Sequence, residues 1–221
     1  MANLTFYGHA CFSLCAKDTT LLFDPFFTGN PVNPGNPAEV SCNYILVSHG
    51  HSDHLGDTID IAKRTGATVL STAEIASLVG QQQCANISMH LGGKRTFDFG
   101  YVKLTPAFHG AGVPGGHAAG FIVNFFGKTI YFAGDTALFG DMALLGRLEN
   151  IDFALLPIGD NYTMGPEDAV EAVKMLKPKT VIPMHYNTWP VIAQSPELFK
   201  EKVEALSISV QILNPGQTIT L

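Results

Sequence analysis

The apolar run Tyr44-Ile45-Leu46-Val47-Ser48 leads without a break into His49-Gly50-His51-Ser52-Asp53-His54. A short, uninterrupted apolar run of this kind predicts a strand buried on both faces, which requires covering layers on either side. The polar run that follows then marks a strand-to-helix junction, where side chains can converge without entering the core. His49 and His51 are two residues apart on the exiting chain and can aim to one side. Asp53 and His54 open the helix, where the positive end of the helix dipole favours an ionised Asp53. Ionised carboxylate and neutral imidazole are the forms that bind a transition metal. Gly, Ser and Asp also build surface turns, but a turn does not call for three histidines within six positions.

The rest of the chain alternates β-rich runs with amphipathic windows. Strands are expected at Leu4–Tyr7, Cys11–Leu14 and Thr20–Phe23, then a proline-rich loop from Pro25 to Pro37. Apolar residues at Leu55, Ile59 and Ala62 predict one helix over Asp53–Arg64, capped at Gly66. Strand Ala67–Leu70, helix Thr72–Val79 and strand Ile87–His90 follow. A second β block covers Lys94–Phe97, Val102–Ala107, Ala119–Phe126 and Thr129–Ala133. Helix Leu138–Leu148, strand Phe153–Pro157, helix Pro166–Leu176, strand Thr180–Pro183, helix Pro196–Leu206 and two closing strands complete the pattern. A β-rich block followed by α/β units, occurring twice, predicts two packed sheets flanked by helices. Residues 1–221 read as a single domain with no linker and no low-complexity tail.

Composition narrows the function. A net charge of −6 argues against a broad basic surface for nucleic acid, yet leaves room for a small anionic substrate beside a bound cation. Cys11, Cys15, Cys42 and Cys84 form no C-x-x-C pair and are expected as reduced core or near-core residues. The N-terminus shows no secretory pattern, and the longest apolar stretch, Phe121 to Ala133, is broken by Asn124, Gly127 and Lys128. A cytoplasmic protein without membrane contact is expected, with self-association left open.

Four ligands can form only part of a two-metal site, so further donors are expected at later strand ends. Val102–Ala107 leads to His109, Ile130–Ala133 to Asp135, and Val181–Pro183 to His185. Each stands just beyond the C-terminal end of an apolar strand, the usual edge for ligand sites in open α/β sheets.

The run from His49 to His54 resembles the H-x-H-x-D-H signature of the metallo-β-lactamase superfamily, and Asp24, His109, Asp135 and His185 follow that family's order. The stretches Tyr7-Gly8-His9-Ala10, Thr105-Pro106-Ala107-Phe108-His109 and Pro157 to Pro166 look like its compact metal-dependent hydrolase branch, related to L-ascorbate-6-phosphate lactonase. The resemblance implies an α/β fold, a four-layer αββα sandwich of two mixed sheets. It also implies His49, His51 and His109 on one metal, Asp53, His54 and His185 on a second, and Asp135 bridging. Asp24 would lie behind the ligands and orient an imidazole through its other N–H, and His9 is placed there too. Zinc is the first expectation for both ions, with Mn2+, Fe2+ and Ni2+ as alternatives.

A pair of divalent ions implies hydrolysis by a metal-bridging hydroxide at a carbonyl or phosphoryl centre. Asp53 would help to guide a proton. His117, at the end of the glycine-rich loop Gly110–Gly116, would reach inward as a substrate or proton-transfer residue. Asn161, Tyr162, Thr163, Tyr186 and Trp189 are candidate pocket residues. Three functions fit: a hydrolase of small lactones, esters or amides, phosphorylated ones included; a phosphodiesterase or nuclease; and a non-catalytic metal-binding protein. The absence of an Arg/Lys-rich arm counts against the second.

Overall fold

The computed structural model describes all of residues 1–221. The first sheet is built from β1 (Asn3–Gly8), β2 (Cys11–Ala16), β3 (Thr19–Phe23), β4 (Tyr44–Leu46), β5 (Thr68–Thr72) and β6 (Asn86–Met89), and its edge is closed by β14 (Thr218–Thr220). The second contains β7 (Lys94–Phe97), β8 (Gly100–Pro106), β9 (Ala119–Phe125), β10 (Lys128–Phe132), β11 (Phe153–Pro157), β12 (Thr180–Met184) and β13 (Ser209–Val210). Helices α1 (Ser52–Leu55), α2 (Thr58–Thr65) and α3 (Ala73–Gln81) follow strands of the first sheet. Helices α4 (Met142–Leu148), α5 (Pro166–Leu176) and α6 (Pro196–Glu204) follow strands of the second.

The two sheets repeat one plan. In the order β14-β1-β2-β3-β4-β5-β6, the pairs up to β3 are antiparallel and those beyond it parallel. In the order β7-β8-β9-β10-β11-β12-β13, the change falls at β10. The expected duplication is therefore present in topology, with β3 and β10 in equivalent places. The C-terminal strand β14 takes the position in the first sheet that β7 takes in the second.

Alternation along β2 explains how the layers separate. Phe12, Leu14 and Ala16 belong to the large core of 45 buried residues shared with the second sheet, where Phe12 and Phe23 meet Phe132. Each such fully buried aromatic or aliphatic side chain contributes roughly 1.5–3 kcal/mol. Cys11 faces the opposite side, into a smaller core of 13 residues under α2 and α3 with Ile61, Ile75 and Val79. Cys15 shares that face, as its spacing requires, but is exposed, contrary to the expected burial. All four cysteines are free.

Two expected elements are shortened and one is divided. Strand β4 stops at Leu46 because the Ser48 N–H leaves the ladder and donates to Asp24 Oδ1 at 2.7 Å. The single helix expected over 53–64 is two helices. At Gly56 the chain turns with φ 39°, and a Cβ there would come within 2.3 Å of the Pro25 carbonyl oxygen. The Asp57 carboxylate then accepts from the N–H groups of Phe27 and Thr28, docking the proline-rich loop. Gly66 ends α2 as expected, in the left-handed conformation with its N–H on Ala62 O. The helix expected from Leu138 begins at Met142; within the missing turn Phe139 packs on Phe108, with ring centroids 5.2 Å apart.

Candidate metal centre

The site lies along one edge of the sandwich, where the chain leaves β1, β3, β4, β8, β10 and β12. His49, His51 and His109 form one cluster whose ligating atoms all lie within 4.8 Å of one another. His49 Nε2 is 3.0 Å from His51 Nδ1, and His109 Nε2 is 3.3 Å from the same atom. His9, Asp53, His54 and His185 form a second cluster by the same measure. Asp135 stands between the two. Its Oδ1 is 3.3 Å from His54 Nε2, and its Oδ2 is 3.0 Å from His185 Nε2 and 3.5 Å from His109 Nε2.

Several of these atoms are buried without being satisfied. His54 Nε2, His185 Nε2 and Asp135 Oδ1 have no hydrogen-bond partner, since the short separations above are poorly aligned for one. An orphaned buried polar atom is costly in a finished fold. Here the orphans include one carboxylate oxygen and the Nε2 atoms of two imidazoles gathered round Asp135, and His185 Nδ1 is a further one. That donor set suits a divalent transition ion, and the residues fit such a group.

Asp24 is fully buried behind this cluster. Its Oδ2 accepts from His54 Nδ1 at 2.6 Å and from Ser48 Oγ at 2.5 Å, so His54 turns Nε2 toward Asp135. Burial alone would lower the His54 pKa, but the charges of Asp135 and Asp24 outweigh it and hold His54 well above the ordinary imidazole value. His49 is pushed the other way, to about 2, first by burial and then by the charge of His54. Burial would raise the Asp53 pKa, yet the His9 hydrogen bond and the charge of His54 hold the carboxyl below its usual range.

His9 is 1% exposed and tightly enclosed. Its Nε2 lies 3.1 Å from Asp53 Oδ2 and its Nδ1 lies 2.8 Å from Thr188 Oγ1. The ring packs on His185 with centroids 3.9 Å apart. His9 O also accepts the His185 N–H at 2.7 Å. Both residues have positive φ, 60° and 54°, conformations that the surrounding contacts must hold in place.

The cavity over the cluster has a volume of about 220 Å³ and is lined by His51, Asp53, His109, Asp135, Tyr162, His185 and Trp189. A larger cavity of about 710 Å³ lies on the far side of His9 and takes Tyr186, Asn187 and Glu197. Size does not decide between them; the smaller one is lined by His51, Asp53, His109, Asp135 and His185. Trp189 and Tyr162 thus face the site, whereas Tyr186, expected beside it, lines the other cavity. Asn161 is exposed, and its N–H turns back to Asp160 Oδ1. The Thr163 hydroxyl donates to Met164 O.

His117 does not join the site. It is exposed and absent from the cavity lining, because its loop is pinned before the tip. The Gly50 N–H donates to Ala111 O at 2.8 Å, and Gly112 packs so closely on Gly50 that a Cβ there would be 2.3 Å from its carbonyl carbon. Two supporting residues escaped the sequence reading. Ser48 sits directly before the histidine run, an available signal; Thr188 carries none, since its contact with His9 spans 179 positions.

Residues 19–186 match the beta-lactamase superfamily domain. A metal-dependent hydrolase of Pelotomaculum thermopropionicum is 53% identical to this chain, over 99% of it and 100% of the relative. One from Desulforamulus reducens is 52% identical over the same shares. The chain belongs to the metallo-β-lactamase superfamily. A metallo hydrolase from the archaeon Ignicoccus hospitalis has the same architecture, with a TM-score of 0.94 at 36% identity, covering 100% of this chain and 98% of that one. The metallo-β-lactamase fold thus accounts for the two mixed sheets, and the chain groups with metal-dependent hydrolases of that superfamily.

Proposed function

We propose that residues 1–221 act as one hydrolase domain on a small carbonyl substrate, a lactone, ester or amide, at a site for two divalent cations. His49, His51 and His109 would hold one, Asp53, His54 and His185 the other, and Asp135 would touch both. Zinc suits this nitrogen- and oxygen-donor set, as do manganese, iron and nickel. When bound, such ions supply an acidified water and a Lewis-acid contact for the carbonyl.

The chain's own residues do the positioning. Asp24 fixes the ring of His54, and His9 fixes Asp53 through Oδ2. The nearby histidines all approach Asp53 on Oδ2, which leaves Oδ1 to receive a proton from the reacting centre. Trp189 and Tyr162 give the cavity a wall that sheds water from one side. The reading is carried by one observation, the convergence of the unsatisfied atoms of His54, His185 and Asp135 on a single buried space. No helix is long and apolar enough to cross a membrane, and four unpaired cysteines suit a reducing cytoplasm.

The test is a parallel assay of the metal-loaded protein on γ-lactones, on bis-p-nitrophenyl phosphate and on structured RNA. Turnover of the lactones should exceed that of both phosphodiesters. Faster cleavage of either phosphodiester would reassign the site, and inertness toward all three in a fully metallated sample would favour a binding role.

A further inference from the structure

We infer that the site selects an uncharged small molecule with an apolar tail and discriminates against phosphorylated or otherwise polyanionic substrates. This rests on the hydrolase reading above and adds the chemistry of the part of the substrate that does not react.

The rim is made of the segments that leave the strands at the ligand edge: residues 9–10, 24–43, 47–57, 107–118, 133–141, 158–165 and 185–195. None of the chain's 13 lysines and arginines falls in any of them. They lie instead at turns, such as Lys17, within strands, such as Lys103 and Lys128, or on helices, such as Lys174 and Lys202. The cavity lining itself holds no lysine or arginine, and its carboxylates are Asp53 and Asp135. A phosphate group is normally held by guanidinium or ammonium donors, and desolvating it among carboxylates without one is strongly unfavourable. A glycine-rich loop can substitute with backbone N–H groups. The loop after His109 does not serve in that way: Gly50 donates to Ala111 O and holds the loop outside, and none of residues 110–117 lines the cavity. Two divalent ions would be taken up by the reacting carbonyl and its water, so a phosphate elsewhere on the substrate would need cationic donors of its own.

The rim offers apolar surface in place of cations. Tyr162 and Trp189 line the cavity itself. Phe108, 64% exposed, lies one residue before His109; Tyr162 is 55% exposed and Val191 52% exposed on the segment that carries Trp189. Exposed large hydrophobic side chains gathered at the mouth of a cavity mark a surface that loses water on binding. Trp189 is held for that purpose between His9, at a ring separation of 4.9 Å, and Phe26, at 6.1 Å.

Trp189 is also the only tryptophan, so its fluorescence reports occupancy without any turnover. The metal-loaded protein would be titrated with a γ-lactam bearing a pentyl tail, its ring confirmed intact afterwards by mass spectrometry, and with the same lactam bearing a phosphorylated hydroxymethyl group. The matching lactones would be assayed alongside. The pentyl lactam should perturb Trp189 and bind at least tenfold more tightly than the phosphorylated one, with an affinity insensitive to salt. Tyr162→Ala should weaken it several-fold without changing metal content. The pentyl lactone should show the higher kcat/KM. Tighter binding of the phosphorylated lactam, or no response of Trp189 to either, overturns the inference. Should the pentyl lactam bind as stated while neither lactone is opened, this inference stands and the lactone-hydrolase reading falls.

Discussion

His9 and His185 are joined twice, by the His185 N–H on His9 O at 2.7 Å and by ring packing at 3.9 Å, although they stand 176 positions apart in the chain. His9 leaves the end of β1, in the first sheet; His185 leaves β12, in the second. The contact therefore closes the ligand edge of the sandwich across both sheets. Within the duplicated plan, β1 occupies the place that β8 occupies in the other sheet, so His9 stands where His109 stands in the second half. One histidine of this related pair faces the cluster of His49 and His51. The other braces Asp53 from behind.

That bracing predicts the behaviour of a His9 variant. Residues that orient metal ligands typically contribute about 10–100-fold to metal affinity. His9→Ala should weaken binding of one of two ions by about that factor, read by competition with a chromophoric chelator. His9→Gln, which can still donate to Asp53 Oδ2, should recover part of the loss. Equal affinity in wild type and both variants would show that Asp53 needs no such support.

Asp135 and His51 should differ in their reach. Asp135 lies within 3.5 Å of His54, His185 and His109, nitrogens from both clusters, whereas His51 touches only His49 and His109. Asp135→Ala is expected to lower metal content at both positions, and His51→Ala chiefly at one, with activity lost in each. Elemental analysis by mass spectrometry after dialysis gives the stoichiometry; full occupancy in both variants would remove the assignment.

Much of this was legible in the sequence, because it depends on local pattern. Apolar runs mark the strands, and His49, His109, Asp135, His185 and the supporting Asp24 each follow one closely. The parts that were not legible depend on contacts between distant segments. Nothing near Gly56 shows that Pro25 will press on it and divide a helix. Ser48 continues the apolar run, yet its N–H is taken by Asp24 and the strand ends early. The inner or outer course of a glycine-rich loop is settled by its contacts with Gly50, the hydrogen bond to Ala111 O and the packing of Gly112, which composition does not encode.

The course of that loop leads to a prediction opposite to the one its sequence suggests. With His117 exposed and outside the cavity lining, His117→Ala should leave metal content and kcat/KM within about twofold of wild type. A tenfold fall in kcat with metal retained would mean that the loop folds inward over bound substrate.

His54 gives the pH dependence of metal binding. In the metal-free protein the charges of Asp135 and Asp24 overcome the cost of burial and keep its pKa well above 6.5, so near neutrality it carries a proton. Nδ1–H is committed to Asp24 at 2.6 Å; the proton that must leave for Nε2 to ligate is therefore the one facing Asp135. His49, lowered to about 2, and His9, lowered to about 4, are already neutral and release nothing. Binding should thus liberate close to one proton from His54 at pH 7, and affinity should rise with pH until His54 deprotonates unaided. Folding of the metal-free protein responds with the opposite sign. The stability His54 contributes is fully present below its unfolded value near 6.5 and is lost as pH rises through its raised folded value. Isothermal titration with zinc in buffers of different ionisation enthalpy counts the protons directly. Asp24→Asn removes one of the charges that hold the proton on His54, so the count should fall in that variant. A count of zero in the wild type would show that His54 is neutral before the metal arrives.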